Sequence, residues 1–269
     1  LSPADIRKDG SAFDLPIAVG MLEAMGYFRK GAAEGILFLG ELGLDGEIKK
    51  VRGVLPIVRE AAARGIRQCI VPAVNAGEGA VIPGIQVRGA GHIRELLQFL
   101  ESEGEEERER LLPVEQEDAA GTFAFENNEN IPDFSQVSGQ ETAKRAAEIA
   151  AAGFHNLLMA GPPGAGKSMI ARRIPGIMPR LTPEESLEVA SVYSVAGLLE
   201  EGTALMRTRP FQSPHHTISM AALVGGNASP RPGMISLAHR GVLFLDELPE
   251  FQRVALDSLR QPLEEHKIQ

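Results

Sequence analysis

Residues 161–168 read Gly-Pro-Pro-Gly-Ala-Gly-Lys-Ser and hold two glycines, a lysine and a serine in the G-x-x-x-x-G-K-[ST] spacing. The glycines let the backbone turn so that successive N–H groups point into one hollow of the size of an anion. In such a loop the lysine places a cation at the β- and γ-phosphates of a nucleoside triphosphate, and the serine hydroxyl ligates Mg²⁺. The spacing therefore predicts ATP and Mg²⁺ as cofactors. The alternative is a turn rich in glycine and proline that binds no ligand.

A second group of chemically capable residues follows the apolar run Gly241–Leu245, which ends in the carboxylates Asp246 and Glu247. A buried parallel strand in this arrangement delivers the first carboxylate to Mg²⁺ and the second to a water molecule near the γ-phosphate. We therefore predict Lys167 and Glu247 as catalytic residues, and Ser168 and Asp246 as ligands of Mg²⁺. The alternative is a solvated strand end.

The elements that must position these residues are a strand, a helix and a sheet. The run His155–Ala160 predicts a buried strand entering the loop, and Met169–Ile174 predicts a helix leaving it, whose N-terminus adds a positive dipole at the phosphates. From Asp133 onward the pattern alternates between helix and strand. This alternation predicts an α/β fold with a parallel sheet and flanking helices.

Further helices and one further strand are predicted from apolar periodicity and composition. The predicted helices are Val51–Ala63, Gly91–Leu100 and Gln140–Ala152, and the predicted strand is Gln68–Pro72. Thr182, Pro183 and Glu185 predict the start of another helix, with a capping box between the threonine and the glutamate.

Length and composition limit the class of protein. At 269 residues the chain is long enough for two domains with separate cores. The single cysteine, Cys69, excludes an internal disulfide, suits a reducing compartment such as the cytoplasm, and is predicted to be buried as a small apolar residue. No apolar run approaches the ~18 residues of a membrane span. The chain begins with Leu1 and shows no signal peptide, so we expect a piece of a longer polypeptide.

Charge is unevenly distributed along the chain. Nine acidic and two basic residues between Glu101 and Asp118 account for −7 of the net charge of −9, which predicts a solvated helix end and an acidic linker over 104–130. Residues 203–245, in contrast, contain no Asp or Glu. Their cations are Arg207, Arg209, Arg231, Arg240, His215, His216 and His239.

Two interpretations of this basic segment stay open. A loop-rich segment without carboxylates beside an ATP site is suited to contact a polyanion such as DNA through the 207–240 loops. The alternative is a local run of uncharged core and loop residues. The adjacent pair His215–His216 is weak evidence for a metal site, because it has no Cys or carboxylate partner nearby in sequence.

Taken together, these motifs resemble the Mg-chelatase-like AAA+ ATPases of the bacterial YifB/ComM type. The matching stretches are 133–146, 161–168, 210–219, 223–226, 232–240 and 241–251. The resemblance implies an AAA+ P-loop NTPase core over 131–269 that lacks the C-terminal sensor and lid part. It also implies a homo-oligomeric ring, a hexamer, which for the ComM type acts on DNA in branch migration during natural transformation, with 210–235 as an insertion reaching toward the centre of the ring.

The resemblance also completes the set of nucleotide contacts, because it places the backbone around Val137 against adenine. The residues predicted to bind nucleotide are Gly161, Pro162, Pro163, Gly164, Ala165, Gly166, Lys167, Ser168, Met169, Val137, Ser138 and Gly139. By the same resemblance, sensor residues and an arginine finger are expected C-terminal to Gln269. We therefore expect this chain by itself to hydrolyse ATP slowly or not at all.

The N-terminal part, 1–103, resembles the Lon-protease-like α+β fold, which is similar to domain 2 of ribosomal protein S5. The carrying stretches are Lys8–Ala18 and Gly40–Ile48. Ala12 stands where that family has its catalytic serine, Ser11 lies one place away, and Leu55 stands at the lysine position. A serine–lysine pair needs a desolvated amine to accept the hydroxyl proton, so we expect a structural or interaction module rather than a working protease.

Three functions remain open at this point. The first is an Mg²⁺-dependent ATPase that acts as a DNA motor. The second is the ATPase subunit of a magnesium chelatase, which the Lon-like part ahead of Asp133 disfavours. The third is a nucleotide-switched protein-interaction module without motor activity.

Overall fold

A computed structural model of the chain describes residues 10–115, 132–200, 205–226 and 230–265. The chain divides into two compact units. Unit 1 comprises 1–122 and 193–205, and unit 2 comprises 123–192 and 206–269. Within the described ranges, no helix is both long and apolar enough to cross a membrane.

Unit 1 contains a three-stranded parallel sheet in the order β1-β4-β5, formed by Ile36–Phe38, Gln68–Pro72 and Gln86–Ala90. The middle strand has the predicted bounds. It is buried because helices and neighbouring strands cover a central parallel strand on all sides. Cys69 lies in this strand without solvent exposure, as predicted, and burial raises the pKa of its thiol to about 12. The thiol is therefore protonated and unreactive at neutral pH.

The remaining elements of unit 1 surround this sheet. A short antiparallel pair is formed by β2 (Glu41–Leu42) and β3 (Ile48–Lys49). The helices are α1 (Asp14–Ala24), α2 (Val54–Ala63), α3 (Ala76–Ala80), α4 (Ile93–Glu101) and α5 (Glu105–Leu111), with 3-10 turns at Ser11–Phe13 and Ala73–Asn75.

Two of these helices agree with the sequence predictions, with small differences at their starts. Helix α2 begins three residues later than predicted, because Gly53 precedes it with a φ of 74° that lies outside the helical region. Helix α4 begins after His92, whose Nδ1 accepts a hydrogen bond from the N–H of Arg94, while Glu95 accepts one from the N–H of His92. This reciprocal cap uses a histidine in the place usually taken by Ser or Thr.

The segment predicted as an acidic linker begins with helix α5, which belongs to unit 1 by its contacts. Arg88 of β5 is 1% exposed and pairs with Glu109 at 2.8 Å and Glu105 at 3.5 Å; it also donates to the carbonyl of Leu112. Its guanidinium lies 5.4 Å from the centre of the Phe99 ring. The acidic residues thus neutralise a buried arginine, because a buried charge needs partners in place of water.

Unit 2 contains short strands and several helices. The strands are β6 (Phe211–Gln212), β7 (Gly225–Gly226), β8 (Arg231–Pro232) and β9 (Val242–Leu243), where β6 and β9 pair in parallel and β7 and β8 pair antiparallel. The helices are α6 (Glu141–Gly153), α7 (Lys167–Ala171), α8 (Ile174–Ile177), α9 (Pro183–Ala196, of which 183–192 belong to unit 2), α10 (Met220–Val224), α11 (Met234–Leu237), α12 (Arg253–Ser258) and α13 (Arg260–Glu265), with 3-10 turns at Phe134–Gln136 and Leu248–Glu250.

Two predicted helix starts in unit 2 are confirmed. Helix α6 lies one residue downstream of its predicted range of 140–152. At the start of α9, the N–H of Thr182 donates to Glu185 at 3.2 Å, and the N–H of Glu185 donates to the Thr182 hydroxyl at 3.2 Å. Both halves of the predicted capping box are therefore present.

The strand predictions for unit 2 are only partly correct. The run His155–Ala160 is not a strand, and Leu158 within it is 80% exposed. Of the apolar run Gly241–Leu245, only Val242–Leu243 pairs as a strand. A parallel strand forms only where a neighbouring strand supplies hydrogen-bond partners, and in the described part of unit 2 the parallel pairing is confined to β6 and β9. The coarser prediction, a mixed α/β chain with parallel pairing and helices, is confirmed.

Candidate functional site

The loop at 161–166 adopts a conformation that depends on its glycines. Gly164 and Gly166 have φ angles of 77° and 82°, which side chains other than glycine adopt at a cost in strain. Helix α7 begins directly after the loop at Lys167. The Nζ of Lys167 donates to the carbonyls of Gly161 at 3.0 Å and Pro162 at 3.1 Å, so its charge is held over the loop from which it projects.

The two predicted motifs meet at Ser168 and Asp246. The Ser168 hydroxyl donates to Asp246 Oδ2 at 2.9 Å, although 78 positions separate the two residues in sequence. Both residues are half-buried. Hydroxyl and carboxylate oxygens are the hard ligands that Mg²⁺ prefers, so the donor set at this point fits that ion.

Glu247 is the second acid of the pair and has an exposed side chain. Its φ of 54° lies in the left-handed region, and its N–H donates to Asp246 Oδ1 at 3.0 Å. One carboxylate oxygen of Glu247 lies 3.5 Å from the Nδ1 of His216. In the residues that the structure describes, no group of three or more His, Cys, Asp or Glu side chains is arranged to hold a metal ion, so the geometry gives His215–His216 no support as a metal site.

The segment predicted to contact adenine lies against the loop. Val137 is 2% exposed, whereas Ser138 and Gly139 are exposed to solvent. The side-chain amide of Gln140 donates to the carbonyl of Ala165 at 3.3 Å. The structure therefore brings 137–140 beside the loop, through a residue that the sequence did not single out.

Arg173 is a second residue that sequence reasoning missed. It donates to the carbonyl of Asp133 at 3.0 Å, to Gln136 Oε1 at 2.9 Å and to the carbonyl of Met169 at 3.0 Å. The predicted contact residue Met169 itself is exposed at its side chain. The arginine ties the 133–136 turn to the helical segment that follows the loop. Hydrogen bonds from Ser135 hold the pKa of the Asp133 carboxyl below its usual range. The same hydrogen bonds fix the start of the turn at 133–136.

The basic segment is less available to a polyanion than the sequence indicates. Arg209 is 6% exposed and pairs with Glu185 at 3.0 Å, while Arg240 and His239 contact Glu188 at 2.9 Å and 3.2 Å. The acids that neutralise them, Glu185 and Glu188, lie in helix α9, whereas residues 203–245 themselves contain no carboxylate. Arg209 is therefore buried in an ion pair and does not face a polyanion, whereas DNA contact through the other cations of the 207–240 loops stays a prediction. Arg231 remains exposed.

The ion pair between Glu188 and Arg240 is reflected in their pKa values. The hydrogen bond from Arg240 lowers the pKa of the Glu188 carboxyl, and the same hydrogen bond raises the pKa of the arginine. Because the pKa of Glu188 is lower in the folded protein, the pair contributes its full stabilisation at pH values above the pKa of an unfolded glutamate. That contribution is lost as the pH falls through the folded value.

The resemblance to Lon-type proteases singled out Ser11, one place from the serine position, and Leu55 at the lysine position; both lie in unit 1. Ser11 is exposed in the 3-10 turn Ser11–Phe13. Leu55 has no solvent exposure and lies in α2, where its N–H donates to Glu78 Oε1 at 3.0 Å. The position that would need an amine thus holds a buried aliphatic side chain.

Comparisons with known proteins match the whole chain. The family described as magnesium chelatase, subunit ChlI, matches 133–269, and the family described as subunit ChlI of Mg-chelatase matches 1–75. Competence protein ComM of Haemophilus influenzae is 44% identical over 268 residues, which cover 100% of this chain and 51% of ComM. The YifB protein of Escherichia coli is 44% identical over 268 residues, covering 100% of this chain and 50% of YifB. DNA repair protein RadA of Listeria monocytogenes is 36% identical over 92 residues, or 34% of this chain and 20% of RadA. The chain spans about half the length of ComM and YifB.

Proposed function

Because the chain belongs to the Mg-chelatase-like family of ComM and YifB, we propose that it carries the nucleotide site of an Mg²⁺-dependent AAA+ ATPase. The single observation that carries the proposal is the hydrogen bond of 2.9 Å between Ser168 and Asp246. A strand-end carboxylate and the hydroxyl after a loop lysine come together in phosphate-binding loops because both serve one metal ion.

Each residue of the site has one task in this proposal. The backbone N–H groups of 161–167 bind the phosphates, and Lys167 stabilises the charge that develops on the γ-phosphoryl group. Ser168 and Asp246 hold Mg²⁺, which when bound neutralises phosphate charge. Glu247 orients and polarises the attacking water, and the backbone of 137–139 contacts the adenine.

Isothermal titration of the full-length protein with ATP and Mg²⁺ tests the site. We expect Lys167→Ala to weaken binding at least about tenfold, or ~1.4 kcal/mol, because the phosphates lose their point-charge partner. Lys49→Ala is the matched control, since it removes an exposed lysine from a strand of unit 1 and should leave binding unchanged. Equal affinity of the wild type and Lys167→Ala, or no binding by either, would contradict the proposal.

For the full-length protein we extend the proposal to a homo-hexameric ring that acts on DNA. Two matched relatives support the choice of DNA, because one is a competence protein and another is a DNA repair protein. Arg231 is one of the exposed cations through which the 207–240 loops would contact phosphate. In this proposal unit 1 is a Lon-like module without protease activity, because the aliphatic side chain of Leu55 cannot accept a proton from a serine.

ATPase rates of the full-length protein with single-stranded and branched DNA, across a salt series, test this extension. DNA should stimulate turnover, and the stimulation should fall steeply as salt rises, because cation–phosphate contacts release counterions. The mass of the assembly with and without ATP tests ring formation. Nucleotide binding without stimulation by DNA at any salt concentration would favour the protein-interaction module. Turnover that depends on a porphyrin would favour the magnesium chelatase subunit.

A further inference from the structure

The pair His215–His216 has no role in the proposed site so far, yet its position follows from the strand register. Strands β6 and β9 are parallel, with Gln212 opposite Leu243. His216 and Glu247 each lie four residues beyond that pair, from 212 to 216 and from 243 to 247. The carboxyl ends of paired parallel strands meet at one edge of the sheet, so equal offsets bring these two side chains together. Their atoms Nδ1 and Oε2 lie 3.5 Å apart.

The imidazole of His216 is held in place by rings on two sides. The ring of His215 lies 4.0 Å away between centroids, and Phe251, which is 5% exposed, meets the His216 ring edge-on at 6.4 Å. His215 is itself fixed, because its Nδ1 lies 2.9 Å from the Thr217 hydroxyl. Aromatic packing of this kind restricts ring rotation, so the Nδ1 of His216 presents a fixed group to the carboxylate.

Glu247 needs such a partner because the rest of its surroundings leave the carboxylate free to rotate. Its side chain is 67% exposed. The bond to Asp246 comes from the backbone N–H of Glu247, so it does not hold the Glu247 carboxylate. A carboxylate that must orient one water molecule loses much of its effect when it samples several rotamers. A rigid imidazole at 3.5 Å restricts that sampling.

Resting on the ATPase function proposed above, we infer that His216 is a positioning residue for Glu247. It orients the carboxylate that acts on the attacking water, and it need not contact the nucleotide. A role in packing alone predicts a different result. Loss of packing would disturb the whole strand edge and change nucleotide affinity as well as turnover, whereas loss of positioning lowers turnover only.

The test uses variants of the full-length protein, with kcat and KM for ATP measured for each. We expect His216→Ala to lower kcat about tenfold with KM within about twofold, because the lost interaction matters in the transition state. In His216→Asn the amide nitrogen falls near the position of Nδ1, so kcat should recover to within about threefold of the wild type. In His216→Gln the amide reaches the position of Nε2 instead, so kcat should stay low. Combining His216→Ala with Glu247→Gln should reduce the residual rate no further than Glu247→Gln alone.

The outcomes separate this inference from the proposed function. One outcome overturns the inference alone: the wild type hydrolyses ATP, Glu247→Gln does not, and His216→Ala has the kcat of the wild type. The proposed ATPase function would then stand. An equal loss in all three single variants of His216, with a raised KM, would assign His216 to packing and also overturn it. Absence of ATP turnover in the wild type would overturn both.

Discussion

Replacing Glu247 with glutamine is expected to lower the ATP turnover of the full-length protein by about 10²- to 10³-fold, with nucleotide affinity within about threefold of the wild type. The amide has nearly the shape of the carboxylate, so the left-handed turn at 247 and the bond from its N–H to Asp246 should persist. What disappears is the negative charge that polarises the attacking water. The loss therefore falls on the transition state and not on the bound ground state.

Single-turnover hydrolysis and ATP titration on the same preparations separate these two effects. Glu250→Gln is the matched control, because Glu250 is also exposed and lies three positions further along the same segment, at the end of the 3-10 turn Leu248–Glu250. Its turnover should equal that of the wild type. Equal rates for the wild type and Glu247→Gln would refute the role assigned to Glu247.

The parts of the site that could be predicted from the sequence are mostly those fixed by short-range chemistry; the pairing of Ser168 with Asp246 is the exception, because two motifs together predict it across 78 positions. The glycine spacing of the loop determines its left-handed turns, and the order of residues determines that Ser168 follows Lys167. The capping box at Thr182 is a local rule of the same kind, since both partners lie within one helical turn. In these local cases the interacting groups are close in sequence, so the pattern itself contains the contact.

What could not be predicted depends on partners that are distant in sequence. Arg209 and Arg240 appear in a segment without carboxylates, and only the fold shows that Glu185 and Glu188 of α9 neutralise them. The same holds for Arg88, whose acidic partners lie in helix α5 in what the sequence presents as a solvated run. The contact between His216 and Glu247 becomes predictable only when the register of β6 and β9 is known.

The prediction of a strand at 155–160 failed for a related reason. Apolar residues favour a buried strand, but a strand also needs a neighbour that accepts and donates hydrogen bonds. Apolar composition is a property of the segment itself, whereas the neighbour is a property of the fold. The exposed Leu158 shows the consequence, because an apolar side chain stays in solvent where no second layer covers it.

The arginine cluster of unit 2 gives the second large expected effect. Arg209 donates from one planar group to the carbonyls of Pro179 and Arg240 and to the carboxylate of Glu185, and it lies 5.3 Å from the ring centre of Phe154. Truncation to alanine removes this donor from both carbonyls and leaves Glu185 with the N–H of Thr182 and the side chain of Arg240. We expect Arg209→Ala to lower the free energy of unfolding of unit 2 by about 3–5 kcal/mol, the usual cost of removing one partner from a buried ion pair.

Hydrogen exchange resolved by peptide measures this effect in the full-length protein, because it reports the opening of residues 183–192 of α9 separately from unit 1. Arg209→Lys keeps the charge beside Glu185 but loses the planar fork that reaches several acceptors, so its loss should be intermediate. Arg231→Ala removes an exposed arginine from the same basic segment and should change the opening free energy by less than about 0.5 kcal/mol. Equal protection of α9 in Arg209→Ala and Arg231→Ala would contradict a structural role for Arg209 and would return it to the surface available to DNA.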